Sequence, residues 1–252
     1  MATRIIGKNM TQITTQIKPL NKTPKTFSKE LAVFDLDHTL INTDSDYMWG
    51  EFLVKHKLVN ETDYRNKNRE FYEDYIAGTL DAVKYNEFVA NFLRQHTLAQ
   101  LHKWREAYIL DEIAPLVRPK AKQALQKHRD AGHDVLVISA TNAFVVKPIA
   151  NQLFGVDFDH ILATELVITN DGYTGKVLGK PNFKDGKIYH LNQWLANKNQ
   201  QGIRYTKTYA YSDSLNDLPL LTWADVAICV SPDERLHAYA RTNGWAVEDW
   251  AM

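Results

Sequence analysis

Apolar positions change period several times along the chain, and each change marks an element. Leu31-Ala32-Val33-Phe34 is a short continuous apolar run with the β-branched and aromatic character of a buried strand, and it stops abruptly at Asp35-Leu36-Asp37-His38-Thr39. After Leu40 the period becomes helical. Tyr47, Trp49, Phe52, Leu53 and Leu58 fall at helical intervals, as do Tyr64, Phe71, Tyr72, Tyr75 and Ile76, with Gly78 placed to end the second helix. Asp81 is placed to cap a third helix through Val83, Phe88, Val89, Phe92 and Leu93, and Leu98, Leu101, Trp104, Tyr108 and Ile109 line a fourth. From Pro115 strands and helices alternate, the pattern of a parallel sheet. Pro119 opens a helix that Gly132 closes, Asp134 to Ile138 is a buried strand stopping at Ser139-Ala140-Thr141-Asn142, and a helix follows over 143–154. A further strand over 159–163 precedes a hairpin that turns at Asn170-Asp171-Gly172. A helix over 187–197, a strand over 206–211, a helix over 215–222, a strand over 226–230 and a last helix after Pro232 complete the alternation.

These elements predict an α/β protein with a Rossmann-like parallel sheet core and an inserted all-helical cap. Residues 1–29 read as a flexible tail, because Pro19, Pro24 and intervening polar residues break up their apolar positions. Residues 30–43 and 115–252 make the core, and 44–114 the cap. The aromatic stripes of the cap read as bundle core rather than a cofactor box.

Composition narrows the possibilities. The 252 residues are 44% hydrophobic and 24% charged, and Lys plus Arg balance Asp plus Glu at 30 each, so no overall field favours nucleic acid. No segment has the length and apolarity of a signal sequence or membrane span. A single cysteine, Cys229, excludes an internal disulfide and any thiolate cluster, suits a reducing cytoplasm, and sits among apolar neighbours as an inert core thiol. His96/His102 and His128/His133 lack the i, i+4 spacing of a helical zinc pair and read as solvated or singly bonded side chains. Oligomeric state is not legible.

The chemistry concentrates at strand ends, where open parallel sheets bind ligands. Asp35 and Asp37 end the first strand, and two carboxylates so close call for a hard divalent cation such as Mg²⁺, which takes oxygen ligands and is completed by substrate phosphate. Ser139 follows the second strand, Lys187 opens a helix, and Asp213 and Asp217 follow the strand ending at Ser212. Taken singly each has a plainer reading: a polar turn, a helix cap, one of several lysines, a capped helix start.

Taken together, Asp-Leu-Asp-His-Thr, Ile-Ser-Ala-Thr, Asp-Gly-Lys before a helix and Ser-Asp-Ser-Leu-Asn-Asp resemble, in order, the four motifs of the haloacid dehalogenase superfamily. The resemblance covers residues 31 to about 230 and departs from the usual pattern at Ser212, where Gly is common. It implies a phosphatase in which Asp35 attacks phosphorus to give an aspartyl-phosphate, Asp37 acts as general acid and base, and Lys187 offsets charge. Thr39 would steady the loop, and His38 would offer its amide to phosphate. Ser139, Ala140, Thr141 and Asn216 would bind phosphate. Lys187 is preferred to Lys176, Lys180 and Lys184 because it opens an amphipathic helix. Mg²⁺ would be held by Asp35, the main chain of Asp37 and Asp213, with Asp217 behind it. The helical insertion is similar to that of phosphoserine phosphatases and bacterial histidinol-phosphate phosphatases, so the partner implied is a small phosphate ester, with neither nucleic acid nor membrane. Asp44, nine residues after Asp35, is either the contact to a substrate amine or the cap of the next helix. Phosphoserine would also need a cation for its carboxylate, which Arg65 or Arg69 supplies only by facing the site. Histidinol phosphate, lacking that carboxylate, is favoured. The rivals are phosphoserine phosphatase, a phosphotransferase or phosphonatase, and a binding or regulatory protein that keeps the fold without turnover.

Overall fold

A computed structural model describes residues 26–251. Strand β1 (Phe27–Phe34) lies at the middle of a six-stranded sheet. After it come helices α1 (Ser45–Lys55), α2 (Glu61–Ala77), α3 (Ala82–Leu93) and α4 (Leu98–Tyr108), then α5 (Pro119–Asp130) and β2 (Asp134–Asn142). The chain continues through α6 (Ala143–Phe154), β3 (Ile161–Thr164), the hairpin β4 (Leu166–Thr169) and β5 (Gly172–Val177), α7 (Asp185–Gln200) and β6 (Ile203–Ser212). It finishes with α8 (Leu218–Trp223), β7 (Val226–Val230), α9 (Glu234–Asn243) and β8 (Ala246–Glu248). The sheet order is β3-β2-β1-β6-β7-β8, and its paired strands run parallel.

The apolar run of β1 is continuous because both faces of the sheet are covered. Leu31 and Val33 pack with Leu191 and Trp194 of α7, Leu220 of α8 and Leu236 of α9. Ala32 and Phe34 point the other way, into a cluster with Leu125 of α5 and Val145 and Ile149 of α6. Period-two alternation thus survives inside a wholly apolar segment. On that second face the core is continuous with the cap. Trp49 of α1 is fully buried, with the rings of Phe52, Phe92, Tyr108 and Phe144 at 5.4, 6.3, 5.2 and 5.5 Å. Phe144 belongs to α6, so truncating Trp49 would open a void across the cap and core boundary at a cost of roughly 3–5 kcal/mol.

Several details depart from the sequence reading. Of the segment read as a tail, residues 1–25 lie outside the described residues, while Phe27, Ser28 and Lys29 pair with Ile203, Arg204 and Tyr205 as the start of β1. Main-chain pairing, which needs no apolar pattern, extends the strand there. Strand β2 continues past Ser139 to Asn142, which pairs with Thr164 and also caps α6. The hairpin turns as its Asn-Asp-Gly sequence dictates, yet it forms a separate two-stranded sheet. Its side chains reach the cap, where Lys176 pairs with Glu87 at 3.0 Å. His128 is neither solvated nor singly bonded: it is buried, with Nδ1 2.9 Å from His133 Nδ1 and Nε2 2.9 Å from the Tyr211 hydroxyl. Cys229 is buried, and burial pushes its thiol up to about 11. Among the described residues no helix is long and apolar enough to cross a membrane.

Candidate active site

The carboxyl ends of β1, β2 and β6 meet under the cap. Parallel pairing aligns Phe34 with Val137 on one side and with Tyr211 on the other, so Asp35 just after β1, Ser139 in the carboxyl-terminal half of β2 and Asp213 just after β6 lie at one end of the sheet. Lys187 arrives in the first turn of α7. The glycine before it is required by space: a Cβ on Gly186 would sit 2.0 Å from the Pro181 carbonyl oxygen. With that close approach, Lys187 Nζ lies 2.7 Å from Asp35 Oδ1 and 2.7 Å from Asp217 Oδ2. Ser212 Oγ donates to the same Asp217 oxygen at 2.8 Å, so the serine in the usual glycine position helps to hold the ion pair.

Burial dominates the electrostatics. It pushes the Asp35 carboxyl well above the usual carboxylate range; Lys187 opposes that shift, and the charges of Asp217, Asp213 and Asp37 add to it. Burial and then the Asp217 charge push Asp213 up to about 8, against a hydrogen bond from Thr39. Burial pulls the Lys187 ammonium down, but Asp217 and Asp35 outweigh it and hold its pKa above the ordinary lysine value. The Thr39 hydroxyl joins the two strand ends, lying 3.1 Å from Asp213 Oδ1 and 3.4 Å from Asp35 Oδ2. These crowded carboxylates expose an all-oxygen donor set in surroundings that disfavour its charge. That combination fits a hard divalent cation, which supplies the positive charge the site lacks.

Asp37 has three donors. The Ser45 amide reaches Oδ1 at 2.7 Å, while the hydroxyls of Ser139 and Thr141 reach Oδ2 at 3.1 and 3.0 Å. Ser139 and Thr141, expected to hold phosphate, therefore orient Asp37 in this structure. Ala140 lines the pocket, and its carbonyl accepts from Thr164 Oγ1 at 2.7 Å. Asn216 also lines the pocket, and its carboxamide donates to the Tyr75 carbonyl of α2 at 3.0 Å, which clasps the cap. Lys184 and Arg235 grip the same helix end, through the carbonyls of Gly78 at 2.6 Å and Ile76 at 2.8 Å. Asp44 caps α1 by accepting the amides of Asp46 and Tyr47 at 2.9 and 2.8 Å, and it faces the pocket; burial and the Asp37 charge push its carboxyl up to about 6. Arg65 is engaged by Glu51 and Glu61, and Arg69 by Asn66; neither lines this pocket, while Arg69 lines an adjoining cavity with His38, Asp44, Tyr47 and Tyr72.

Three residues of the site carried no signal in the sequence. Asn182 is buried and donates to the carbonyls of Ser139 and Leu162 at 2.8 and 3.0 Å, tying β2 to β3 at the residue that contacts Asp37. Asp46 and Asn86 line the cap side of the pocket. Asp46 belongs to a segment that reads as helix-capping, and Asn86 is one polar residue in an amphipathic helix.

Residues 32–222 match the model of the haloacid dehalogenase-like hydrolase family. A histidinol-phosphatase from Neisseria meningitidis is 41% identical over 220 residues, covering 87% of this chain and 98% of its own. A phosphoserine phosphatase from Mycobacterium tuberculosis is 28% identical over 231 residues, covering 88% of this chain and 71% of its own. Among solved structures, a protein of unknown function from Bordetella pertussis superposes with a TM-score of 0.81 at 36% identity, over 89% of this chain and all of the other. A substrate-bound phosphoserine phosphatase superposes with a TM-score of 0.61 at 19% identity, over 83% of this chain and 90% of the other, a likeness of fold.

Proposed function

Because the chain belongs to the haloacid dehalogenase-like hydrolase family and is a phosphatase within it, we propose that it hydrolyses histidinol phosphate through an aspartyl-phosphate on Asp35. The observation that carries the choice of substrate is the pocket lining. Among the described residues that line it, Lys187 is the one cation, and its ammonium is occupied by Asp35 and Asp217, whereas Asp44 and Asp46 also face the pocket. A substrate carboxylate finds no partner there. An amine and an imidazole do. The Neisseria relative, named a histidinol-phosphatase, supports the same reading.

In the proposed reaction an Asp35 carboxylate oxygen attacks phosphorus as the bond to the ester oxygen breaks. Asp37 gives its proton to the departing alkoxide, so the alcohol leaves neutral. Asp37 then takes a proton from water, whose oxygen attacks the acyl-phosphate, releasing phosphate and restoring the Asp35 carboxylate. Lys187 keeps Asp35 aligned and balances charge in a site closed from bulk water. Asp35, Asp213 and the Asp37 carbonyl would hold Mg²⁺, which when bound supplies positive charge against the phosphate and the nucleophile.

Phosphate release from histidinol phosphate, phosphoserine and p-nitrophenyl phosphate, with Mg²⁺ present, tests this. The expected kcat/KM for histidinol phosphate exceeds that for phosphoserine by at least about a hundredfold. A preference for phosphoserine overturns the substrate, and failure to hydrolyse any ester favours the binding-protein reading instead.

A further inference from the structure

Two acceptor atoms on the cap side of the pocket lack a well-aligned donor. Asp46 is 2% exposed; its Oδ1 accepts from Asn142 Nδ2 at 3.0 Å, and its Oδ2 has the Tyr85 hydroxyl nearby but no hydrogen bond of good geometry among the described residues. Asn86 is 1% exposed; its Nδ2 donates to the Ala82 carbonyl at 2.8 Å, which leaves Oδ1 without a partner. That bond to a carbonyl also fixes which end of the amide faces away, since only the NH₂ group can donate. Buried acceptors are normally satisfied, and leaving one empty is costly. Two of them on neighbouring helices, lining one pocket, match a ligand that brings its own donors.

The surroundings define that ligand. Tyr47, Phe71, Tyr72 and Tyr85 line the same pocket, so its walls are aromatic and its fixed charge acidic, conditions that favour a cation bearing N–H groups. Asp44, by contrast, uses Oδ1 on two amides of its own helix. A purely structural role for Asp46, tethering Asn142 at the start of α6, accounts for Oδ1 but leaves Oδ2 without a well-aligned donor. The geometry points to Asp46 and Asn86, rather than Asp44, as the subsite that binds the protonated amine of the substrate. This rests on the phosphatase reading above: phosphate lies against Asp35 and Lys187, and the ammonium lies at the opposite, cap end of the same pocket.

The test compares kcat/KM for histidinol phosphate with that for its deamino analogue, 3-(imidazol-4-yl)propyl phosphate, using the full chain with Mg²⁺. In Asp46→Asn the ratio of amino to deamino ester is expected to fall on the order of 30-fold, mainly through KM, and in Asn86→Leu several-fold. In Asp44→Asn the ratio stays within about threefold, because a capping residue acts on both esters alike. A ratio unmoved in Asp46→Asn, or moved as far in Asp44→Asn, overturns the assignment. A second measurement needs no variant: histidinol should inhibit p-nitrophenyl phosphate hydrolysis at a concentration at least about tenfold below that of 3-(imidazol-4-yl)propanol. Equal inhibition overturns the subsite while leaving the phosphatase intact, and absence of hydrolysis of every ester overturns both.

Discussion

The Ser45 amide donates to Asp37 Oδ1 at 2.7 Å, which ties the proposed general acid to the first residue of the first cap helix. Orphan amides at a helix start favour an anion, and α1 shares its own between two carboxylates, Asp37 for Ser45 and Asp44 for Asp46 and Tyr47. The placement of Asp37 is therefore a property of the cap as much as of the strand it follows.

Asp35→Asn retains volume and an oxygen for Lys187 while removing the nucleophile. Turnover should fall at least about 1,000-fold. Thermal unfolding followed by circular dichroism should show a folded protein; near wild-type rates of phosphate release would exclude covalent catalysis by Asp35.

Lys187→Met leaves Asp35 and Asp217 buried without their counter-charge. Removing one member of such a group costs roughly 3–5 kcal/mol. Urea unfolding at neutral pH should show that loss, and Lys187→Met combined with Asp217→Asn should recover part of it. Equal stability of the two variants would mean that Asp217 is not the charge being compensated.

Chelation should abolish activity, with Mg²⁺ restoring it, and Asp213→Ala should lose Mg²⁺ binding in isothermal titration. The Thr39 hydroxyl bridges Asp213 and Asp35, placing the Asp213 carboxylate beside the nucleophile. Unchanged Mg²⁺ affinity in that variant would remove Asp213 from the ligand set.

His128 sets an acid limit on stability far from the chemistry. Burial, then the neighbouring His133, lowers its pKa from 6.5 to about 4. Between those values the unfolded chain binds the proton and the folded one does not, so stability is complete above pH 6.5 and declines as pH falls toward 4, by about 3 kcal/mol. Urea unfolding at pH 7 and pH 4.5 should show a smaller difference in His128→Gln than in the parent; parallel losses would assign the acid sensitivity to other groups.

Asn216→Ala should loosen the cap without weakening phosphate. Hydrogen exchange at residues 75–79 should accelerate by about fivefold, the worth of one hydrogen bond, while inhibition by inorganic phosphate stays within about twofold. A large loss of phosphate inhibition would place Asn216 among the phosphate ligands.

The legible parts of this chain are those written in local pattern. Leu31 to Phe34 announces a buried strand because both its faces are covered, and Asp35, Asp37 and Asp213 are visible because charge follows immediately on such strands. Gly78 marks a helix end by its left-handed backbone, and Asp81 a helix start by the side-chain oxygen that accepts the Lys84 amide. What stayed hidden depends on partners distant in sequence. Ser139 and Thr141 aim at Asp37 through the register of β1 with β2, Asn216 reaches a helix 141 residues earlier, and the hairpin meets α3 only once the cap has closed over the sheet. The exposed β8 pairs with β7 through its backbone, and its three residues are too few to show a period.

Asn216 and Asp217 are consecutive residues of the short turn Leu215–Asp217, and they face opposite ways: one grips the cap at Tyr75, the other steadies Lys187. The contact that holds the end of α2 and the contact that anchors Lys187 are therefore joined through a single peptide link.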